Sequence, residues 1–497
     1  MTSKLRAAAL SLLLLPLLWG ARAPESLADF RAEDMFGRSL GGKTPLQLVD
    51  WQGFLANPAI EFDLLIPESI AFPARVVVKA KEPRLYFTLP SSAGPDGPRK
   101  EFEIPEAGSY PIVMSVFPDR DGKDERYALT AELTDRKGKQ WELEIPIEVL
   151  DQDTVREPSY PITVDFSQDQ TNFYRDKKKR SVVQQAASDW TAFFDGTGLS
   201  PVPAKAEQTF IWKKEGFTGG HTVRNQDPYT GYLLYAYGIE TDELRAGGEG
   251  SIQGGFQVVE RGELPLRRSG GMQIDTRGNF NELGWLVELE ASEWWKATNL
   301  GDVANDLYSI AHHEIGHALL FNRAYPKLVQ AKEIGAMSTP ALFAYLGKAP
   351  EIDTHDHLHG TIDPITRRGA YGYEYYGEMP HGRWLITPTD LLFAEAIGYT
   401  LLPHPATMPL RVETTTLPES RPGRPYRAQL QAAGGVPIYR WALSEDSNLP
   451  AGLRLDADSG EITGKPRGRG DYEFQIRVQD PSRNHSGAMG TVKLTIS

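Results

Sequence analysis

Ile310-Ala311-His312-His313-Glu314-Ile315-Gly316-His317-Ala318-Leu319-Leu320-Phe321 contains the pattern His-Glu-x-x-His. On a helix, residues four apart lie one turn above the other on one face, so His313 and His317 can grip one tetrahedral zinc ion (Zn2+). Glu314 lies one residue round the helix, in place to take a proton from a water activated by the metal. The apolar residues Val303, Leu307, Ile310, Ala311, Ile315, Ala318, Leu319 and Phe321 recur at helical spacing, and Asp302 or Asn305 can cap the start. A helix buried on most sides that carries two imidazoles and a carboxylate needs partners for them, which a metal supplies. His312 points off the face of the pair, as a supporting or surface residue.

The His-Glu-x-x-His pattern resembles the zinc motif of the metzincin clan, which continues Gly-x-x-His. Here those positions are Leu320 and Arg323, and arginine, permanently cationic, cannot ligate zinc, so the resemblance implies a third ligand from further along the chain. Seven of the ten histidines fall between 312 and 381, and three crowd into Thr354-His355-Asp356-His357-Leu358-His359-Gly360. His357 is the favoured ligand, His359 the next choice and His355 the last; the competing reading is a surface loop that binds nothing. Asp356 or Asp363 can hold the far nitrogen of a ligating ring. Glu333 and Glu351 are weaker ligand candidates, and His381 a minor candidate for stabilising an oxyanion.

With 497 residues and 40% hydrophobic composition, the chain can build two to four domains. A net charge of −13 excludes nucleic acid as a general partner. Lys4 and Arg6, a leucine-rich run from Ala7 to Trp19 and the small-x-small site Ala21-Arg22-Ala23 read as a signal peptide over 1–23, with secreted or periplasmic delivery of the bacterial type. No other stretch reaches the length of a transmembrane segment. The absence of cysteine removes disulfides and thiolate ligands.

Residues 24–155 carry short alternating apolar runs, among them 74–80, 84–88, 110–116 and 141–147, and read as an N-terminal β-sandwich domain. Asp119-Arg120-Asp121-Gly122-Lys123-Asp124 reads as a turn rather than a calcium loop, because no bidentate glutamate follows. Residues 156–403 change to strand, helix, strands and the motif helix, an α+β arrangement: strands at 160–166, 231–237 and 271–275, a helix over 180–194, and 281–289 as a strand or helix start. Residues 404–497, with turns rich in Gly, Pro and Asp, read as a second sandwich.

This order of elements resembles the metzincin clan of zinc metallopeptidases over roughly residues 156–403, and the His-Ala-Leu-Leu-Phe run with a distal third ligand is most similar to leishmanolysin-type members. Tyr376-Gly377-Glu378-Met379-Pro380 resembles the clan's methionine turn, which implies that Met379 packs beneath the metal, and residues 387–399 look like the clan's closing helix. Gly434 to Trp441, Leu449 to Leu455, Ser459 to Pro466 and Tyr472 to Asp480 resemble the immunoglobulin-like modules of exported bacterial proteins. The resemblances imply a multidomain chain, with an α+β metzincin-like zinc peptidase domain flanked by N-terminal and C-terminal β-sandwich domains. They also imply a secreted metalloendopeptidase acting on a protein or peptide substrate, with attachment to a cell surface or polysaccharide through the Ig-like domain. The alternative is an exported adhesion or carbohydrate-binding protein with a vestigial zinc site.

Overall fold

In the first hundred described residues, burial alternates along the strands. The computed structural model describes residues 29–497 apart from 52, 83, 88–97, 120, 155–156, 212–219, 241–247, 252–257, 262–263, 277–283, 288, 290–304, 323–324, 338, 372–383 and 482–486. The signal-peptide reading of 1–23, the methionine turn with Met379, and His381 lie outside these residues.

The strands β1 (Arg31–Asp34), β2 (Ser39–Leu40), β3 (Leu46–Asp50), β4 (Ile60–Ile66), β5 (Ala74–Ala80), β6 (Leu85–Phe87), β7 (Arg99–Ile104), β8 (Gly108–Val116), β9 (Glu125–Thr134) and β10 (Gln140–Asp151) form two five-stranded sheets. Their orders are β2-β1-β4-β8-β6 and β3-β10-β9-β5-β7, and β3 joins β10 in parallel. Val76, Val78, Leu129, Leu133, Ile145 and Ile147 face inward from one sheet, and Phe62, Leu64, Ile112 and Met114 from the other. The turn read at 119–124 is held by its own carboxylates, since Asp119 accepts from the Asp121 N–H and Asp121 from the Lys123 N–H. Asp50, Asp119 and Asp151 lie close together there, and Arg84 pairs with Asp50, Asp119 and Glu125.

The sandwich does not end in a free surface. After β3 the chain dips into the middle of the molecule with Trp51, Phe54 and Leu55 buried. The Ala56 N–H donates to the Ile386 carbonyl at 2.8 Å and the Ala59 N–H to the Ile365 carbonyl at 2.9 Å. Leu55 pairs in parallel with Ile386, and the Phe54 ring stands edge-on to Tyr308. One buried apolar cluster therefore runs from the sandwich into the segment that carries the motif.

That segment is built on a four-stranded sheet of β11 (Ile162–Asp165), β12 (Tyr232–Ile239), β13 (Gly248–Ser251) and β14 (Ser269–Asp275), ordered β11-β12-β14-β13. The first three in that order run parallel and β13 antiparallel at the edge. Every residue of β12 and β14 is buried, as expected of central strands covered on both faces. Helix α1 (Lys177–Thr191) is capped by Asp176 and turns Val183, Ala186, Ala187 and Trp190 inward. The motif helix α2 (Leu307–Leu319) is capped by Asp306, whose side chain accepts from the Ser309 N–H at 3.1 Å, rather than by Asp302 or Asn305. Trp285–Leu286 forms a short strand parallel to Asn305–Asp306, which settles part of the segment read as strand or helix start.

Helices α3 (Pro326–Ile334) and α4 (Pro340–Leu346) follow, then a small hairpin of Glu351–Ile352 with Leu358–His359, and helix α5 (Pro388–Ile397) with a capping box between Thr387 and Asp390. The C-terminal residues form two three-stranded sheets around their own core of Trp441, Ile462, Phe474, Ile476, Val492 and Leu494. Multidomain β-sandwich architecture is thus present, with a few helices concentrated around the motif. Among the described residues no helix is long and apolar enough to cross a membrane.

Candidate metal centre

Helix α2 is held from several sides at once, and that fixes how it presents its histidines. Its carbonyls accept side-chain hydrogen bonds besides their helical ones: Trp190 Nε1 to His312 O at 3.1 Å, Tyr371 Oη to His313 O at 2.8 Å, Tyr232 Oη to Ala318 O at 2.7 Å and Tyr399 Oη to Leu319 O at 2.9 Å. These donors come from α1, β12 and the segments on both sides of α5, so the helix can neither rotate nor slide without breaking buried hydrogen bonds. His313 and His317 share one face, with ring centroids 4.9 Å apart. Glu314, on the next position of the same helix, is 2% exposed.

The third imidazole arrives on the hairpin. Asp353 organises its loop: Oδ1 accepts from the backbone N–H of His355 at 2.7 Å and of His357 at 3.0 Å. Asp356 takes up a left-handed conformation (φ 71°), and its carboxylate pairs with Lys332 of α3. The result buries His357 to 3% exposure and leaves His355 and His359 exposed. One ring nitrogen from each of His313, His317 and His357 lies within 4.8 Å of the others. His359, the second choice as third ligand, is therefore corrected to a surface position, because its strand residue pairs opposite Glu351 at the rim of the hairpin. Glu333 and Glu351 are likewise exposed. The carboxylate beside the His357 ring is Asp353, not Asp356 or Asp363. Asp356 is occupied by Lys332, and Asp363 accepts from Thr389, Thr366 and Tyr345.

The hydrogen-bond network assigns the tautomers of two of the rings. Nδ1 of His317 lies 2.9 Å from the Phe321 carbonyl, and Nδ1 of His357 lies 3.1 Å from Asp353 Oδ2. Both partners are pure acceptors, so each Nδ1 carries the proton and donates it. The two Nε2 atoms lie 3.2 Å apart and face each other. Either a proton shared between the two nitrogens or a metal ion is compatible with that approach. Ligands on a tetrahedral zinc with bonds of about 2.0–2.1 Å stand about 3.3 Å apart, so the spacing and the all-nitrogen donor set fit that ion. Far nitrogens fixed by a carbonyl and a carboxylate are the support that ligating histidines require.

Electrostatics favour the unprotonated form of His313 and of His317. Burial, reinforced by the neighbouring imidazoles, drives the pKa of His313 well down from its ordinary value. Burial and His357 lower that of His317 to about 3. Burial alone would raise the carboxyl of Asp353, but its bonds from the His357 ring and from backbone N–H groups prevail and hold it at about 2, so it stays an anion and an acceptor.

Aromatic rings enclose the three imidazoles. Tyr371 stacks parallel to His313, with centroids 4.5 Å apart and planes 5° apart, and Trp384 stands edge-on to the same ring. His312 is fully buried, stacked against Trp190 and Tyr308, so of the two readings given for it, supporting or surface residue, the surface one does not hold: the helix has no solvent face on that side. Tyr371, Trp384 and Asp353 were not singled out by sequence reasoning. Only Asp353 left a local signal, an aspartate four residues before His357 in a short polar loop.

Comparison with known proteins bears on the C-terminal segment. The family described as Putative Ig domain matches residues 408–497, and those residues form an Ig-like β-sandwich. No curated protein sequence matches the chain. Among solved structures, a putative alpha-galactosidase from Bacteroides fragilis is 21% identical over 18% of this chain, with a TM-score of 0.15, and the match spans 17% of that protein. The third cadherin domain of human protocadherin 7 is 23% identical over 18% of this chain and 85% of that one (TM-score 0.15). The periplasmic chaperone SfaE is 9% identical over 37% of this chain and 82% of its own (TM-score 0.16). At TM-scores this low the likenesses say nothing of what this chain does.

Proposed function

We propose that the chain is a zinc-dependent metalloendopeptidase of metzincin-like type. The observation that carries the reading is the convergence of one ring nitrogen from each of His313, His317 and His357 to within 4.8 Å of one another, with Nε2 of His317 and of His357 3.2 Å apart and each Nδ1 bonded to an acceptor. His313, His317 and His357 would hold the ion. Zinc in such a site supplies a Lewis acid that makes water a nucleophile near neutral pH and polarises a carbonyl. Glu314, about 100° round the helix from His313, would serve as general base toward a water in such a site and as proton donor to the leaving amine. Asp353 and the Phe321 carbonyl keep the two imidazoles in the tautomer that offers Nε2. The aromatic surround of Tyr371 and Trp384 lowers the local dielectric around them.

The experiment is hydrolysis of an unstructured protein such as casein by the purified, zinc-loaded chain, its chelated form and Glu314→Gln. Cleavage that is lost on chelation, restored by zinc, and about 10²–10⁴-fold lower in Glu314→Gln is expected. Zinc bound without any cleavage sinks the peptidase reading and favours the rival, a binding protein with an inactive centre that attaches through its Ig-like module.

A further inference from the structure

Tyr371 meets all three imidazoles of the centre. Its ring lies flat against His313 on one side and against Phe321 on the other, the latter at 3.7 Å between centroids and 2° between planes. The same ring approaches His317 at 5.1 Å and His357 at 5.6 Å, so all three imidazoles meet it. Its hydroxyl donates to the His313 carbonyl on α2 at 2.8 Å. Its backbone N–H donates to Asp390 Oδ1 at the start of α5 at 2.8 Å, and its carbonyl accepts from the N–H of Leu358, the residue after His357, at 2.9 Å. Asp390 is fully buried, and its other oxygen accepts from Thr387, so this anchor is itself fixed. One residue thereby ties the ligand helix, the ligand hairpin and the closing helix together, and presents an aromatic face to the ligand rings.

We propose that Tyr371 is the positioning residue of the metal centre. It sets the angle between His313 and His317 and the depth of His357, and it does no chemistry on the substrate. The inference rests on the zinc reading above and concerns this chain's own side chain. A ring that merely filled core volume would need neither the hydroxyl bond to α2 nor the parallel contact with a ligand imidazole.

The test compares the full chain with Tyr371→Phe and Tyr371→Leu. Folding is followed by circular dichroism and thermal midpoint, zinc affinity by competition with a chromophoric chelator, and ligand geometry by the visible bands of the cobalt(II)-substituted protein. Tyr371→Leu is expected to lose about 10–100-fold in zinc affinity and to shift the cobalt bands. Tyr371→Phe, which keeps the ring, is expected to keep the bands near their wild-type position with a smaller loss of affinity. A folded Tyr371→Leu with wild-type affinity and cobalt spectrum overturns the inference. Should Tyr371→Leu not fold, Tyr371→Phe decides: affinity equal to wild type overturns it and a loss supports it. A wild-type chain that takes up no zinc overturns the proposed function and this inference together, whereas a wild type that loads beside an indifferent Tyr371→Leu overturns this inference alone.

Discussion

A Cβ placed on Gly316 would stand 2.5 Å from Cε2 of Tyr371 and 3.3 Å from Cζ2 of Trp190. Glycine inside a helix costs about 1 kcal/mol relative to alanine, so its presence within the His-Glu-x-x-His turn needs a reason. The two rings supply it: they occupy the space a methyl group would take. Gly316→Ala is therefore expected to destabilise the fold by about 1–3 kcal/mol despite its better helix propensity, and to weaken zinc binding by displacing Tyr371. Thermal unfolding with and without zinc measures both effects. A stabilised variant with unchanged metal affinity would contradict the packing described.

Among His313, His317, His355, His357 and His359, the ring nitrogens of His313, His317 and His357 converge while His355 and His359 are exposed. Single alanine substitutions of His313, His317 and His357 are expected to reduce bound zinc to a small fraction of one per chain at micromolar concentration. His355→Ala and His359→Ala, at exposed positions, are expected to retain it. Metal analysis of protein purified in parallel gives the answer. Zinc retained by His357→Ala but lost from His359→Ala would reverse the assignment of the third ligand.

Asp353 bonds the His357 ring and holds the hairpin through two backbone N–H groups, so it would act on a bound metal only through His357. Asp353→Asn keeps the shape, removes the charge and frees the imidazole to change tautomer. Zinc affinity is expected to fall about 10–100-fold. Affinity unchanged within twofold, measured by chelator competition, would show that the carboxylate serves the loop alone.

The depressed pKa values of His313 and His317 set a direction for pH. Both rings are neutral in the fold, while the unfolded chain binds protons below about 6.5. Acid thus favours the unfolded state. Their contribution to the stability of the metal-free protein is full above about pH 6.5 and is lost as pH falls toward the folded-state value of about 3 for His317. The slope is at most about 1.4 kcal/mol per pH unit for each ring, and less for His317, which keeps part of its surface open. Thermal midpoints of the apo protein between pH 7 and pH 4.5 should fall more steeply for wild type than for His317→Gln. Parallel curves would show that His317 titrates normally.

What could be read from the chain divides along physical lines. His313 and His317 were legible because a helix turns sequence spacing into geometry, and the sandwich strands because alternate residues face alternate ways. His357 was legible only as one of three, since choosing among His355, His357 and His359 depends on how the Asp353 loop turns, and no periodicity encodes that. The role of Tyr371 left no trace. It reaches α2 from 58 positions beyond His313, through contacts set by the tertiary fold. The Ig-like module, a self-contained core with regular turn chemistry, was readable throughout.

The pairing of Leu55 with Ile386 joins residues 331 positions apart, and the bonds from Ala56 and Ala59 to the same region close loops of similar length. Contacts this distant along the chain form slowly and late. Until residue 386 has left the ribosome, Trp51, Phe54 and Leu55 have no complete surface to settle on, and the hairpin carrying His357 lacks its buttress. A nascent or truncated copy that stops short of residue 386 would therefore carry the motif helix before the packing around it is complete.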